Sequence, residues 1–394
     1  MIASKMHKTF LLFLALLGFS CADSQIQTGA DQVSSWLPFL RDKSVGLVVN
    51  QTSRVGEQHL ADTLLSLGIK VQALFAPEHG IRGDHGAGEK VKSGKDIKTG
   101  LPIISLYGSH KKPTKEDLKD MGLVVFDIQD VGARFYTYIS TLHYVMEACA
   151  EQGIPVIVLD RPNPNGHYVD GPVLDTQFRS FVGMHPIPVV HGMTIGEYAS
   201  MINGEGWLKG GIQCELHVVK LKGYTHKTPY HLPVAPSPNL PNDLSIQLYP
   251  SLCFFEGTQV SVGRGTATPF QIIGSPYLSG EFWDTSFRPI SIPHAAPNPP
   301  FLNTDCRGKS YLYLNSPEFR MTKLDLDPLI KAHASHSSRI DFFNDFFDKL
   351  AGSEELRHQI RNMDSEETIR ASWQPGLEAY KQMRRKYLLY EDFE

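Results

Sequence analysis

The sequence carries no excess of charge of one sign: 38 lysines and arginines face 42 aspartates and glutamates over 394 residues, a formal net charge of −4. Such a balance offers no electrostatic footprint for a polyanion, so nucleic acid is set aside as a partner. Cysteine is scarce too. Beyond Cys21 there are Cys149, Cys214, Cys253 and Cys306, widely separated and without CxxC spacing, from which no disulfide framework or zinc site follows. Cys149 falls on the apolar face of an expected helix and reads as a small buried hydrophobe. Also missing are G-x-G-x-x-G in the first loop, G-x-x-x-x-G-K-[ST] anywhere, and a G-x-S-x-G elbow after a strand. Readings as a dinucleotide binder, a nucleoside triphosphatase or a serine hydrolase lose their support.

The apolar run Phe10 to Phe19 is too short to span a bilayer as a stable helix. It is preceded by Lys5, His7 and Lys8 and closed by Gly18-Phe19-Ser20-Cys21, which reads as a lipoprotein signal over residues 1–21, cleaved before an acylated Cys21. An ordinary secretory signal is the alternative. Either way the protein is expected outside the cytoplasm, as a periplasmic or outer-membrane lipoprotein touching the membrane through an N-terminal lipid. The remaining chain, with 41% hydrophobic and 20% charged residues, is globular in composition. Its length exceeds what one core ordinarily serves, and two domains are expected, 22–252 and 253–394.

From Ser44 to Asp160 short apolar runs alternate with helical segments, the pattern of a parallel sheet covered on both faces. The expected strands are Val45 to Val49, Val71 to Phe75, Ile103 to Tyr107, Leu123 to Ile128 and Val156 to Leu159, in a Rossmann-like α/β domain. Leu60, Leu64 and Leu67 before Gly68, and Ile139, Leu142, Val145, Met146 and Cys149 before Gly153, have helical spacing with a glycine at the end. A helix is expected from Thr194 to Asn203 and a strand from Leu216 to Lys222, followed by an ordered proline-rich loop. The C-terminal part reads as a smaller α+β domain, with a strand from Ser310 to Leu314 and two last helices, Glu367 to Trp373 and Leu377 to Tyr387, separated by Pro375.

Ligands of an open parallel sheet sit outside the carboxyl ends of its strands. Four of the five ends carry dense polar clusters: Asn50 to Arg54, Ala76 to Gly80, Asp127 to Arg134 and Asp160 to Gly166. A turn and a helix cap need only one or two such residues, so the density points to function. Single members keep a structural reading: Asp160 as a cap, Asn163 as a turn former, Asp127 as the partner of Arg134 or Arg161. The scattered His79, His85, His143, His185 and His191 leave a metal-dependent hydrolase as a minor reading. Carboxylates, amides and arginines suit a glycosidase, in which a protonated carboxyl donates to the leaving oxygen. Glu78, after an apolar strand and Pro77, is the candidate acid, with a salt bridge to Arg82 or a cap contact as its bland alternative. Asp127, Asp130, Glu256 and the substrate's own acetamido oxygen are the candidates for the second role.

These clusters resemble the exo-β-N-acetylmuramidase family. The resemblance rests on Val49-Asn50-Gln51-Thr52, on Ala76-Pro77-Glu78-His79-Gly80-Ile81-Arg82-Gly83, and on the run Phe126 to Tyr138 containing Gln129, Asp130, Arg134 and Tyr136. It rests also on Leu159-Asp160-Arg161-Pro162-Asn163-Pro164, His191-Gly192-Met193-Thr194, Pro236-Ser237-Pro238-Asn239-Leu240-Pro241, Glu256-Gly257-Thr258 and Gly263-Arg264-Gly265-Thr266. It implies a cleft on a Rossmann-like domain completed by a smaller one, and release of terminal N-acetylmuramic acid from cell-wall glycan fragments without a cofactor or metal. It also places catalysis on Glu78. Asn50, Gln51, His79, Gln129, Asp160, Asn163, His191, Asn239, Glu256 and Thr266 become candidates for holding substrate. The lactyl carboxylate of that sugar invites a guanidinium, from Arg82, Arg134, Arg161 or Arg264, and Tyr136 and Tyr138 are candidates for contact with its ring. A non-catalytic glycan-binding lipoprotein and a metal-dependent cell-wall amidase or deacetylase are the competing readings.

Overall fold

The computed structural model describes residues 26–83, 93–337 and 341–394; the signal segment with Cys21, and His85, lie outside the described residues. All five expected runs form strands: Val45–Val49, Val71–Ala76, Pro102–Ser105, Leu123–Asp127 and Val156–Leu159. Gly94–Lys95 and Leu216–Val219 extend the sheet at its two edges. Its order is Gly94–Lys95, Pro102–Ser105, Val71–Ala76, Val45–Val49, Leu123–Asp127, Val156–Leu159, Leu216–Val219. Only the Gly94–Lys95 edge is antiparallel. Counted along the chain, the parallel strands stand in the doubly wound order 3-2-1-4-5-6, which reverses beside the first strand.

Alternate side chains of each strand feed two different cores. Val45, Leu47, Val49, Leu74 and Val125 pack with Trp36, Leu60 and Leu64 on one face. Val48, Phe75, Val124 and Phe126 pack on the other with Leu142, Val145 and Met146 of the Tyr138–Gln152 helix and Tyr198 and Ile202 of the Ile195–Gly204 helix. That is why the strands read as unbroken apolar runs: neither face is left to water. The helix ends follow local chemistry, with Gly153 at φ 64° closing one helix and a Thr194–Glu197 capping box opening the other.

The C-terminal part builds an antiparallel sheet in the order Ile272–Ser275, Cys306–Ser310, Thr285–Phe287, with helices Asp327–Ser335, Phe347–Ala351, Glu355–Arg361 and Glu366–Arg385. It packs on the second face of the large sheet, in a core that continues across residue 252, the last of the Asp243–Leu252 helix. Two local expectations are corrected. The strand is Cys306–Ser310, and Leu312–Leu314 forms a 3-10 turn; Leu312 and Tyr313 are exposed and only Leu314 packs against the core, so no alternating strand face is buried here. The last helix is single, with Pro375 inside it. Ile369, Trp373, Leu377, Tyr380 and Arg384 form one buried stripe, and their packing outweighs the roughly 3 kcal/mol that an interior proline costs. Cys149, Cys214, Cys253 and Cys306 are buried free thiols. Among the described residues no helix is long and apolar enough to cross a membrane.

Candidate active site

The strand ends meet a helix start above the carboxyl edge of the sheet. After Val71–Ala76 the chain turns through His79 and Gly80, both at positive φ, 73° and 77°. For a buried histidine this conformation costs about 1–2 kcal/mol, and the turn brings Glu78 to the wall of a cavity of about 230 Å³. Two residues past the Pro102–Ser105 strand stands Tyr107, whose hydroxyl donates to Glu78 Oε1 at 3.0 Å, while the Thr137 hydroxyl donates to Oε2 at 3.2 Å. Tyr136 donates to the Pro236 carbonyl at 2.8 Å, and Tyr138 reaches the carbonyls of Glu78 and Pro236 at 3.4 Å. Burial, helped at Tyr138 by the neighbouring Glu78 charge, keeps both phenols protonated.

Ser237, Asn239, Tyr249, Glu256, Arg264, Phe270 and Phe346 also line the cavity. Glu256 accepts from Arg264 Nε at 2.7 Å, and the guanidinium lies 5.2 Å from the centre of the Phe270 ring. Burial works against the charge of Arg264, and Glu256 more than offsets it. Arg264 Nη1 is buried with no hydrogen-bond partner among the described residues. Asn239 is held by its bond to the Ala295 carbonyl, 2.9 Å. Thus Glu78, His79, Tyr136, Tyr138, Asn239, Glu256 and Arg264 of the expected set converge on one cavity.

The other expected residues hold the loops around it. Asp127 and Arg161 form a buried fork, 2.6 and 2.9 Å, and Arg161 also donates to the Arg54 carbonyl at 3.0 Å. Asp130 accepts from the Gly132 amide at 2.7 Å and stands 3.6 Å from His191 Nε2, both side chains being buried. Gly132 has φ 77°, and a Cβ there would lie 2.2 Å from Asn163 Oδ1, so the loop packs only with glycine at that position. Asn163 itself donates to the Met193 carbonyl. Gln129 donates to the Asp130 and Pro162 carbonyls, Gln51 to those of Ala235 and Pro236, and Asn50 accepts from the amide and hydroxyl of Thr52. Thr266 closes its own turn on the Gly263 carbonyl.

Asp160 is buried among Thr194 Oγ1, the Gly196 amide and the Tyr390 hydroxyl, and burial pushes its carboxyl up to about 7. Arg82 is paired with Asp62 and Asp96. Arg134, expected beside a carboxylate, instead meets four carbonyls, those of Pro172, Ile187, Leu350 and Ala351, at 2.7–2.8 Å. His143 and His185 bond to each other, and His185 to Tyr198. Among the described residues no three His, Cys, Asp or Glu side chains gather as metal ligands.

Tyr107 and Thr137 were not among the expected site residues. Tyr107 follows the one strand whose end lacks a polar cluster, and a lone tyrosine after an apolar run reads as core. Thr137 sits inside the Phe126 to Tyr138 motif but is masked there by its aromatic neighbours. Tyr249, Phe270 and Phe346 reach the wall from segments that carry no chemical motif.

Aromatic rings stack on sugar faces, and carboxyls move protons at glycosidic oxygens; the two together define the class as the glycoside hydrolases. Family models described as "Exo-beta-N-acetylmuramidase NamZ, N-terminal" and "C-terminal" match residues 45–244 and 247–390. The chain belongs to the exo-β-N-acetylmuramidase NamZ family. It is 41% identical over 383 residues to the peptidoglycan β-N-acetylmuramidase NamZ of Bacillus subtilis (strain 168), covering 93% of this chain and 92% of the relative. Two DUF1343 family proteins of Bacteroides fragilis NCTC 9343 share the fold. One is 45% identical with a TM-score of 0.86, covering 94% of this chain and 100% of that one. The other is 29% identical with a TM-score of 0.77, covering 93% and 99%.

Proposed function

We propose that this glycoside hydrolase removes N-acetylmuramic acid from the non-reducing ends of peptidoglycan fragments, with Glu78 protonating the leaving oxygen. The observation that carries the reading is the cavity, whose lining brings Glu78, a second carboxylate in Glu256 and the Arg264 guanidinium together among aromatic rings. Glu78 stands in its wall. The bland contact with Arg82 is not needed to explain Glu78, since Arg82 is paired with Asp62 and Asp96. The unpartnered Arg264 Nη1 is our choice to grip the lactyl carboxylate. For the anomeric carbon we retain Glu256, the second carboxylate of the lining, and the substrate's acetamido oxygen; Asp127 and Asp130 are not among the residues that line the cavity.

Incubation with chromogenic β-N-acetylmuramide and its β-N-acetylglucosaminide counterpart is the test. Release from the muramide alone is expected; equal cleavage of both would reject recognition of the lactyl group, and no release from either would favour a glycan-binding lipoprotein. Export with a lipid on Cys21 is also part of the proposal. Labelled fatty acid should enter the parent protein and not Cys21→Ser; equal labelling of both would reject the anchor.

A further inference from the structure

We infer that Tyr107 and Thr137 are positioning residues that hold the Glu78 carboxyl in one orientation for proton transfer, an inference that rests on Glu78 being the acid. They come from two separate elements. The Leu106 amide bonds the Ala76 carbonyl at 2.7 Å, which sets the end of the Pro102–Ser105 strand beside the Glu78 turn and delivers the Tyr107 hydroxyl to Oε1 at 3.0 Å. Thr137 stands at the start of the Tyr138–Gln152 helix. A threonine at a helix N-cap ordinarily turns its hydroxyl on the amides of the first turn. Thr137 makes no such bond: with φ −73° and ψ −4° it leaves the helix uncapped by its side chain and donates to Glu78 Oε2 at 3.2 Å. With its backbone already helical, the Thr137 hydroxyl is not placed to cap the first turn and turns to one carboxyl instead.

Each carboxyl oxygen therefore has its own hydroxyl partner, and rotation of the group breaks both bonds. The Tyr138 hydroxyl, 3.4 Å from the Glu78 carbonyl, steadies the backbone behind it. A hydroxyl both donates and accepts, so the pair can keep its hold when Glu78 carries a proton and after it has lost it. The proton delivered to the glycosidic oxygen is that of Glu78; Tyr107 and Thr137 keep theirs. An unheld glutamate would divide its time among rotamers, most of them out of reach of the sugar oxygen.

The test is kcat and KM for Thr137→Val, Thr137→Ser and Tyr107→Phe on a disaccharide with N-acetylmuramic acid at its non-reducing end, whose departing alkoxide needs the proton, with thermal unfolding of each. Thr137→Val and Tyr107→Phe should each lower kcat about ten-fold with KM within about two-fold of the parent, the signature of lost positioning rather than lost binding. Thr137→Ser should restore kcat, and the unfolding midpoint of Thr137→Val should stay at the parent value because no cap is removed. Parent kcat in Thr137→Val, or a loss that serine does not restore, would overturn the inference. Glu78→Gln keeps the two readings apart. If it stays active, the acid assignment falls and the positioning role falls with it; if it is inactive while Thr137→Val is unimpaired, only the positioning role falls.

Discussion

Glu78→Gln is expected to lower kcat about 10²–10⁴-fold, the range that general acid–base catalysis contributes, with little change in stability. Glutamine has the shape of glutamate, and its amide can accept from one hydroxyl of the Tyr107 and Thr137 pair and donate to the other. What it lacks is a proton to give. The loss should therefore depend on the leaving group: large for a disaccharide, whose departing alkoxide needs protonation, and smaller for a nitrophenyl glycoside, whose phenolate leaves unaided. Equal losses on both would move Glu78 from the acid role to one of binding or of attack at the anomeric carbon.

Arg134→Met is expected to cost about 3–5 kcal/mol of stability, the scale of breaking a buried charged network, read as a lowered unfolding midpoint. The Arg134 side chain has no exposed surface and no carboxylate partner among the described residues, so burial lowers its pKa below the usual guanidinium range. Four carbonyl oxygens compensate the charge, two of them at the end of the Phe347–Ala351 helix, where the helix dipole is negative. Gly352 ends that helix at φ 84°, and a Cβ there would lie 2.8 Å from Arg134 Nη2. One side chain of the large sheet's domain thus ties the C-terminal domain to it. Methionine fills much of the volume and leaves the carbonyls without their donor. Arg134→Lys should not restore the midpoint, because an ammonium cannot reach four acceptors spread around a planar fork. A Met variant as stable as the parent would show that these bonds are replaceable by water.

Other parts of the molecule were legible to different degrees for physical reasons. The capping box at Thr194 and Glu197 and the left-handed Gly153 are local events among near neighbours in the chain, and local patterns describe them well. Pro375 misled because a helix breaker is a local signal while the stripe from Ile369 to Arg384 that overrides it belongs to the tertiary core. At the site, Glu78, Glu256 and Arg264 were legible as motif residues, whereas Tyr107 was not. Its importance lies in a 3.0 Å contact between two strand ends, and nothing in its immediate sequence announces that contact.

By itself the sequence determined the doubly covered sheet, since strands buried on both faces must be written as unbroken apolar runs, and it determined the family through motifs at the strand ends. Only the tertiary structure decided which strand-end polar residues line the cavity and which hold it together. Glu78 and Asp127 look equivalent as carboxylates after apolar strands, yet one faces a cavity and the other faces Arg161. The difference is which loops meet each side chain in space, and that is set by residues dozens of positions away, which chain order does not reveal.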